Sequence, residues 1–124
     1  IDEEKSKFIF KRLSEAFTVQ QQQAELIKKH FEDCKFSKII CGDLNNSAFS
    51  YVYRTIKGDM KDAFEQAGTG FGKSYNYKYY PARIDYVFVE ENIEVKEFKS
   101  IETFQQSDHF PQITRLKVVN KEEK

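Results

Sequence analysis

Phe36-Ser37-Lys38-Ile39-Ile40-Cys41-Gly42-Asp43-Leu44-Asn45 is the stretch on which the fold turns. Its first six residues are mostly apolar, with two β-branched isoleucines, and predict a buried strand in which Cys41 is a buried thiol. Gly42-Asp43-Leu44-Asn45-Asn46-Ser47 then reads as the loop at the strand's carboxyl end. Upstream, from Ser6 to Glu32, apolar residues recur at Phe10, Leu13, Phe17, Ala24, Ile27 and Phe31. Steps of three and four, broken at Gln20, predict one long amphipathic helix packed on a sheet. The glutamines from Gln20 to Gln23 read as its solvated face. A helix followed by a buried strand is an α/β signal, and ligands bind at the carboxyl ends of such strands.

Downstream, Ser50 is placed to cap a short helix through Ile56, stopped by Gly58. Asp59 to Ala67 reads as a second short helix closed by Gly68. Gly68-Thr69-Gly70-Phe71-Gly72 is a flexible loop without the lysine and helix of a phosphate-binding P-loop. The chain then turns to strand chemistry at Ser74 to Tyr79, Ile84 to Val89, Ile93 to Ile101 and Gln112 to Val119. Glu91-Asn92 turns one strand into the next. The charged tail, Asn120 to Lys124, reads as frayed.

The 124 residues suffice for one unit with a real core, and 12 Phe with 7 Tyr argue against disorder. Lys plus Arg number 20 and Asp plus Glu number 20. That balance excludes a purely electrostatic binder of nucleic acid. Two cysteines, Cys34 and Cys41, are too few for a disulfide scaffold. No run approaches the ~20 apolar residues of a membrane span, so no direct membrane contact is expected of this segment. The chain opens on Ile1 and runs straight into the helical pattern, which reads as a cut product whose targeting signals lie upstream.

Three strings carry chemistry. In Gly42-Asp43-Leu44-Asn45, a carboxylate at a strand end can orient water. An amide two residues on, along extended backbone, can donate to a phosphate oxygen. The same tetrapeptide also suits a tight turn in which Asp and Asn bond their own backbone. Asp85, in Arg83-Ile84-Asp85-Tyr86-Val87-Phe88-Val89, is expected to be buried and so needs a partner. Arg83 would make the pair structural, whereas His109 would make it an oriented imidazole. In Ser107-Asp108-His109-Phe110-Pro111, His109 can stabilise charge on a phosphoryl oxygen, and Asp108 can ligate a hard cation. The other histidine, His30, reads as a helix-terminal cation. Phe71, Tyr75, Tyr77, Tyr79 and Tyr80, with Lys73, Lys78 and Arg83 interleaved, read either as one strand face or as a substrate platform.

In this order the three strings resemble the carboxyl-terminal motifs of the endonuclease/exonuclease/phosphatase superfamily, from about Ala24 to Leu116. The resemblance implies an α/β fold forming one half of a four-layer α/β/β/α sandwich, with a mixed, largely antiparallel sheet and a long amino-terminal helix. It implies a metal-dependent phosphoester hydrolase of nuclease or phosphatase type. Asp43 would orient or activate water. Asn45 would bind phosphate, with Asn46 beside it as a further substrate contact. His109 would contact the scissile phosphate, and Asp85 would orient His109. Asp108, and also Asp43, would hold Mg2+, with Mn2+ as an alternative. The substrate would be a nucleic acid, a nucleotide or a phosphorylated small molecule.

That family also draws a metal-binding Glu from its amino-terminal half. Glu3, Glu4, Glu15, Glu25 and Glu32 all fall on or beside the long helix. Residues 1–124 therefore read as a single partial domain with an incomplete metal site. The alternative is an inactive half-domain that self-associates through an uncovered sheet face or serves as a binding module. Compartment stays open.

Overall fold

A computed structural model describes residues 2–119. The long helix α1 runs Glu3–Glu32. The Asp2 carboxylate accepts from the Glu4 N–H at 3.1 Å, and Lys29 and His30 occupy the last turn, where they complement the helix dipole. Strand β1 spans Ile39–Asp43, helix α2 Tyr51–Lys57, strand β2 Lys61–Asp62 and helix α3 Ala63–Ala67. Strands β3 (Asp85–Val89), β4 (Ile93–Ser100) and β5 (Gln112–Val118) follow. The first three strands form an antiparallel sheet in the order β1-β3-β2, and β4 pairs antiparallel with β5. The chain is thus a mixed α/β unit with a long amino-terminal helix and antiparallel sheets.

The caps around α2 fall where the sequence places them. The Ser50 hydroxyl accepts from the Tyr53 N–H at 3.1 Å, and Gly58, at φ 50°, closes the helix through its N–H to Arg54 O. The core beneath α1 and α2 joins Ala24, Tyr53, Ile56, Tyr86 and Phe88, with Phe31, Ile40 and Met60 partly buried against it. One sheet face, bearing Ile40, Tyr86 and Phe88, is therefore covered by helices.

Several expectations are corrected. The first strand runs Ile39–Asp43 rather than Phe36 to Cys41, because pairing with β3 continues to Asp43↔Asp85. Gly42 and Asp43 belong to the strand, not to a loop. Cys41 is exposed, since alternation turns Ile39, Cys41 and Asp43 away from the helices. Most of the α1 stripe is also exposed, with Phe10 at 72%, Leu13 at 52% and Phe17 at 55%. Thirty residues of helix reach ~45 Å, whereas five of strand reach ~17 Å, so α1 overhangs its sheet.

Asp59 to Ala67 is not one helix, because Lys61 and Asp62 pair with β3 before α3 begins. Ser74 to Tyr79 is not a strand. Only Tyr75 forms bridges, to Ala82 and to His109. Glu91-Asn92 does turn one strand into the next, β3 into β4, and the two strands belong to different sheets. The tail from Asn120 lies outside the described residues.

Candidate active site

Asp43 and Asp85 face each other across β1 and β3. Directly opposed residues of an antiparallel pair project on the same side, so two carboxylates meet at one end of the sheet. Like charges so placed repel, and His109 answers them. Its Nδ1 lies 2.8 Å from Asp85 Oδ2, and its Nε2 lies 3.7 Å from Asp43 Oδ2. The hydrogen bond to Asp85, foremost, and the charges of Asp85, Asp43 and Asp108 hold the ring's proton above the usual histidine range. The partner of Asp85 is thereby settled as His109. Arg83 pairs with Asp62 instead, at 2.7 Å.

The raised pKa has a defined sign. The imidazolium stabilises the folded chain fully below the ordinary value of about 6.5, and that contribution is lost as pH rises through the higher folded value. Asp85→Asn removes the main cause, so the His109 pKa should fall, as a titration of its ring protons by NMR would read. An unchanged titration would refute the pairing.

Asn45 adopts φ 50°, alone among the described non-glycine residues in the left-handed region. The backbone therefore does not stay extended from Asp43 to Asn45. It turns, and the Asn45 N–H donates to Asp43 Oδ1 at 2.8 Å. This is the tight-turn geometry, and it fixes one carboxylate oxygen while the other faces His109. Asn46 is tied inward: its Nδ2 donates to Gln20 Oε1 at 3.0 Å and to Leu44 O at 3.3 Å. Gln20, read as solvated, thus anchors the loop.

Three supports escaped the sequence reading. Ser74 is fully buried, and its hydroxyl accepts from the Ile84 and Asp85 N–H groups at 2.9 and 3.1 Å, which fixes the start of β3. The Tyr75 ring meets that of His109 edge-on, with centroids 5.0 Å apart. The Tyr86 hydroxyl lies 2.7 Å from both Asn46 O and Arg83 O and so spans the loop and the strand. Burial pushes the Tyr86 pKa up to about 12, so its hydroxyl stays a donor even in alkaline solution. Tyr75 stood in the aromatic run and Tyr86 in the Arg83-Ile84-Asp85-Tyr86 string, but neither pattern showed these contacts.

Among the described residues, Asp43, Asp85 and His109 form a group able to hold a cation, with ligand atoms within 4.8 Å of one another. Its fit is partial. Asp85 Oδ2 is engaged by His109, which leaves Asp43 Oδ2 as the less engaged oxygen, and the exposed Asp108 stands outside this group. Two carboxylates fall short of the six oxygens Mg2+ takes. The surroundings are open as well. A cavity of about 620 Å3 lies at the far end of the sheet beside Ile56 and Asn92. Another of about 630 Å3, beneath α1, reaches Asp43 but neither Asp85 nor His109.

Residues 15–109 match the model of the Endonuclease/Exonuclease/phosphatase family. The chain belongs to this family. Solved structures of similar fold accompany the match. An endonuclease/exonuclease/phosphatase family protein from Bacteroides thetaiotaomicron is 21% identical with a TM-score of 0.67, over 86% of this chain and 46% of that one. A mannosyl-6-phosphatase of the same organism is 20% identical with a TM-score of 0.64, over 80% and 46%. An endonuclease/exonuclease/phosphatase from Bacteroides vulgatus is 26% identical with a TM-score of 0.65, over 80% and 44%. This family member thus spans about half the length of these relatives. No curated protein matches it at a significant level. Among its described residues, no helix is long and apolar enough to cross a membrane.

Proposed function

We propose that this chain, as a partial domain, furnishes one wall of the active site of a metal-dependent phosphoester hydrolase. The observation that carries the reading is the Asp43–His109–Asp85 group at the end of the β1–β3 pair. Asp85 holds the imidazole by Nδ1, and the 3.7 Å gap from Nε2 to Asp43 is too long for a hydrogen bond. The Nε2–H is therefore available to a phosphoryl oxygen, whose growing negative charge the imidazolium offsets. Asp43 orients the attacking water through Oδ2. Asn45 contacts the phosphate, while its backbone N–H holds Asp43 Oδ1. Asn46, whose side-chain N–H groups go to Gln20 and Leu44, supports the loop in place of the substrate contact expected of it. Asp108 and Asp43 would hold Mg2+, or Mn2+ in its place, with further oxygens from water, substrate and other residues. When bound, that ion supplies neutralisation of charge on the phosphoryl group.

The substrate is a phosphoester, whether nucleic acid, nucleotide or phosphorylated small molecule. The charge balance favours the smaller of these. In a protein carrying this chain with a complementary half, chelation by EDTA should abolish hydrolysis of a generic phosphoester and added Mg2+ should restore it. Full turnover in EDTA would sink the metal-dependent reading.

A second reading has its own observation. Ile39 is 47% exposed and Cys41 is exposed on the sheet face opposite the helices, and the amino-terminal part of the α1 stripe, Phe10 to Phe17, is exposed. Such surface favours a partner, and a second copy would bury more than ~1,000 Å2. Sedimentation of the chain should then show self-association, and a monodisperse monomer at high concentration would argue against it.

A further inference from the structure

Tyr77, Tyr79 and Tyr80 pack ring against ring, with centroids 5.4 Å apart for Tyr77–Tyr79 and 4.6 Å for Tyr77–Tyr80. Yet they are 38%, 74% and 62% exposed. Aromatic area gathered at the surface instead of the core marks a contact surface. The segment that carries them is closed at its base, where the Ser74 and Tyr75 N–H groups both reach Ala82 O, at 2.9 and 3.2 Å. It is also clamped to the histidine segment. The Asn76 N–H donates to Asp108 O at 2.7 Å, and the Phe110 N–H donates to Ser74 O at 2.8 Å.

Ala82 leads directly into Arg83-Ile84-Asp85, so the same two segments that deliver the Asp85–His109 pair also hold the tyrosines. Tyr75 touches the His109 ring, and Tyr77 lies two residues on, within ~7 Å of chain.

We propose that Tyr77, Tyr79 and Tyr80 form the surface that holds the ring of a ring-bearing phosphate ester while its phosphoryl group lies at His109. The placement of the phosphoryl group rests on the hydrolase reading above. The binding preference for a ring does not. A nucleobase stacks its flat π-face on tyrosine, and a sugar or cyclitol ring lays its C–H-bearing face on the same surface, so both kinds of ring can use it. Lys78, 5.4 Å from the Tyr79 ring centroid, adds a cation beside that face. An acyclic phosphate ester offers no such face.

The test titrates glucose 6-phosphate, AMP and glycerol 3-phosphate into the 124-residue chain and reads saturation transfer from tyrosine ring protons by NMR. At least one ring-bearing ester should bind ~fivefold or more tightly than glycerol 3-phosphate. The Tyr79→Ala/Tyr80→Ala variant should lose that preference while keeping its circular dichroism. A preference for glucose 6-phosphate supports the proposal and assigns a sugar ring, and one for AMP supports it and assigns a base. Equal affinity for all three, or a preference kept in the variant, overturns it. A ring preference without hydrolysis of any of the three esters, even in a protein that joins this chain to a complementary half with Mg2+ present, overturns the hydrolase reading alone. Hydrolysis without ring preference overturns this proposal alone.

Discussion

Asp43→Ala and His109→Ala, each made in a protein that joins this chain to a complementary half, should cut turnover at least ~100-fold with little change in stability. The two side chains are 36% and 39% exposed, and neither fills the core. Asp43→Ala removes a charge that stands opposite Asp85, so the fold loses a repulsion together with one turn-forming hydrogen bond. His109→Ala removes the cation between the two carboxylates, a partly solvated interaction of modest worth. Chemistry suffers far more. Without Asp43 nothing on this wall aligns the water, and without His109 the Nε2–H that meets developing charge is gone. Rates on a generic phosphate ester beside thermal unfolding curves would check both effects. Near-wild-type turnover in both variants would refute the assignment.

Asp62→Ala should destabilise the chain by about 3–5 kcal/mol, a large share of the ~5–15 kcal/mol typical of a domain. Asp62 is 1% exposed. Its Oδ2 accepts from the Tyr53 hydroxyl and from Arg83 Nη1, both at 2.7 Å, and its Oδ1 caps α3 through the Phe64 N–H at 3.0 Å. Arg83 lies 4.7 Å from the Phe64 ring centroid and 4.8 Å from that of Tyr86, with 12% of its side chain exposed. Removing the carboxylate strands that guanidinium in a poorly solvated place. Replacing both partners, as in Asp62→Leu with Arg83→Met, should cost much less, because no buried charge remains unpaired. Urea unfolding of the two variants would separate these outcomes. A loss under ~1 kcal/mol for Asp62→Ala would mean that water reaches Arg83 freely. The network also bears on the site, since Arg83 lies two residues before Asp85.

The helix ends were legible because capping is local. Ser50 and Gly58 act on groups within a few residues, and the structure places both as read. The Ile84 to Val89 strand was legible from its β-branched and aromatic run, and β3 covers most of it. The aromatic run from Ser74 misled for the same reason. Its composition suits a strand, but within it only Tyr75 forms β-bridges, and Tyr77 to Tyr80 lie exposed before Pro81. Cys41 misled because an apolar run states how much can be buried, not which face a helix covers.

Sequence alone determined the residue types of the site, the order of the three strings and the family they resemble, since these need only the chain itself. Tertiary structure alone decided how they combine. Asp85 could have paired with Arg83, two residues away, or with His109, 24 residues away. The choice fell to His109 because Asp62, from β2, takes Arg83. Strand register then set Asp43 against Asp85, and buried Ser74 held β3 in place. Pairings across such separations depend on which surfaces pack together, and no local preference along the chain encodes that.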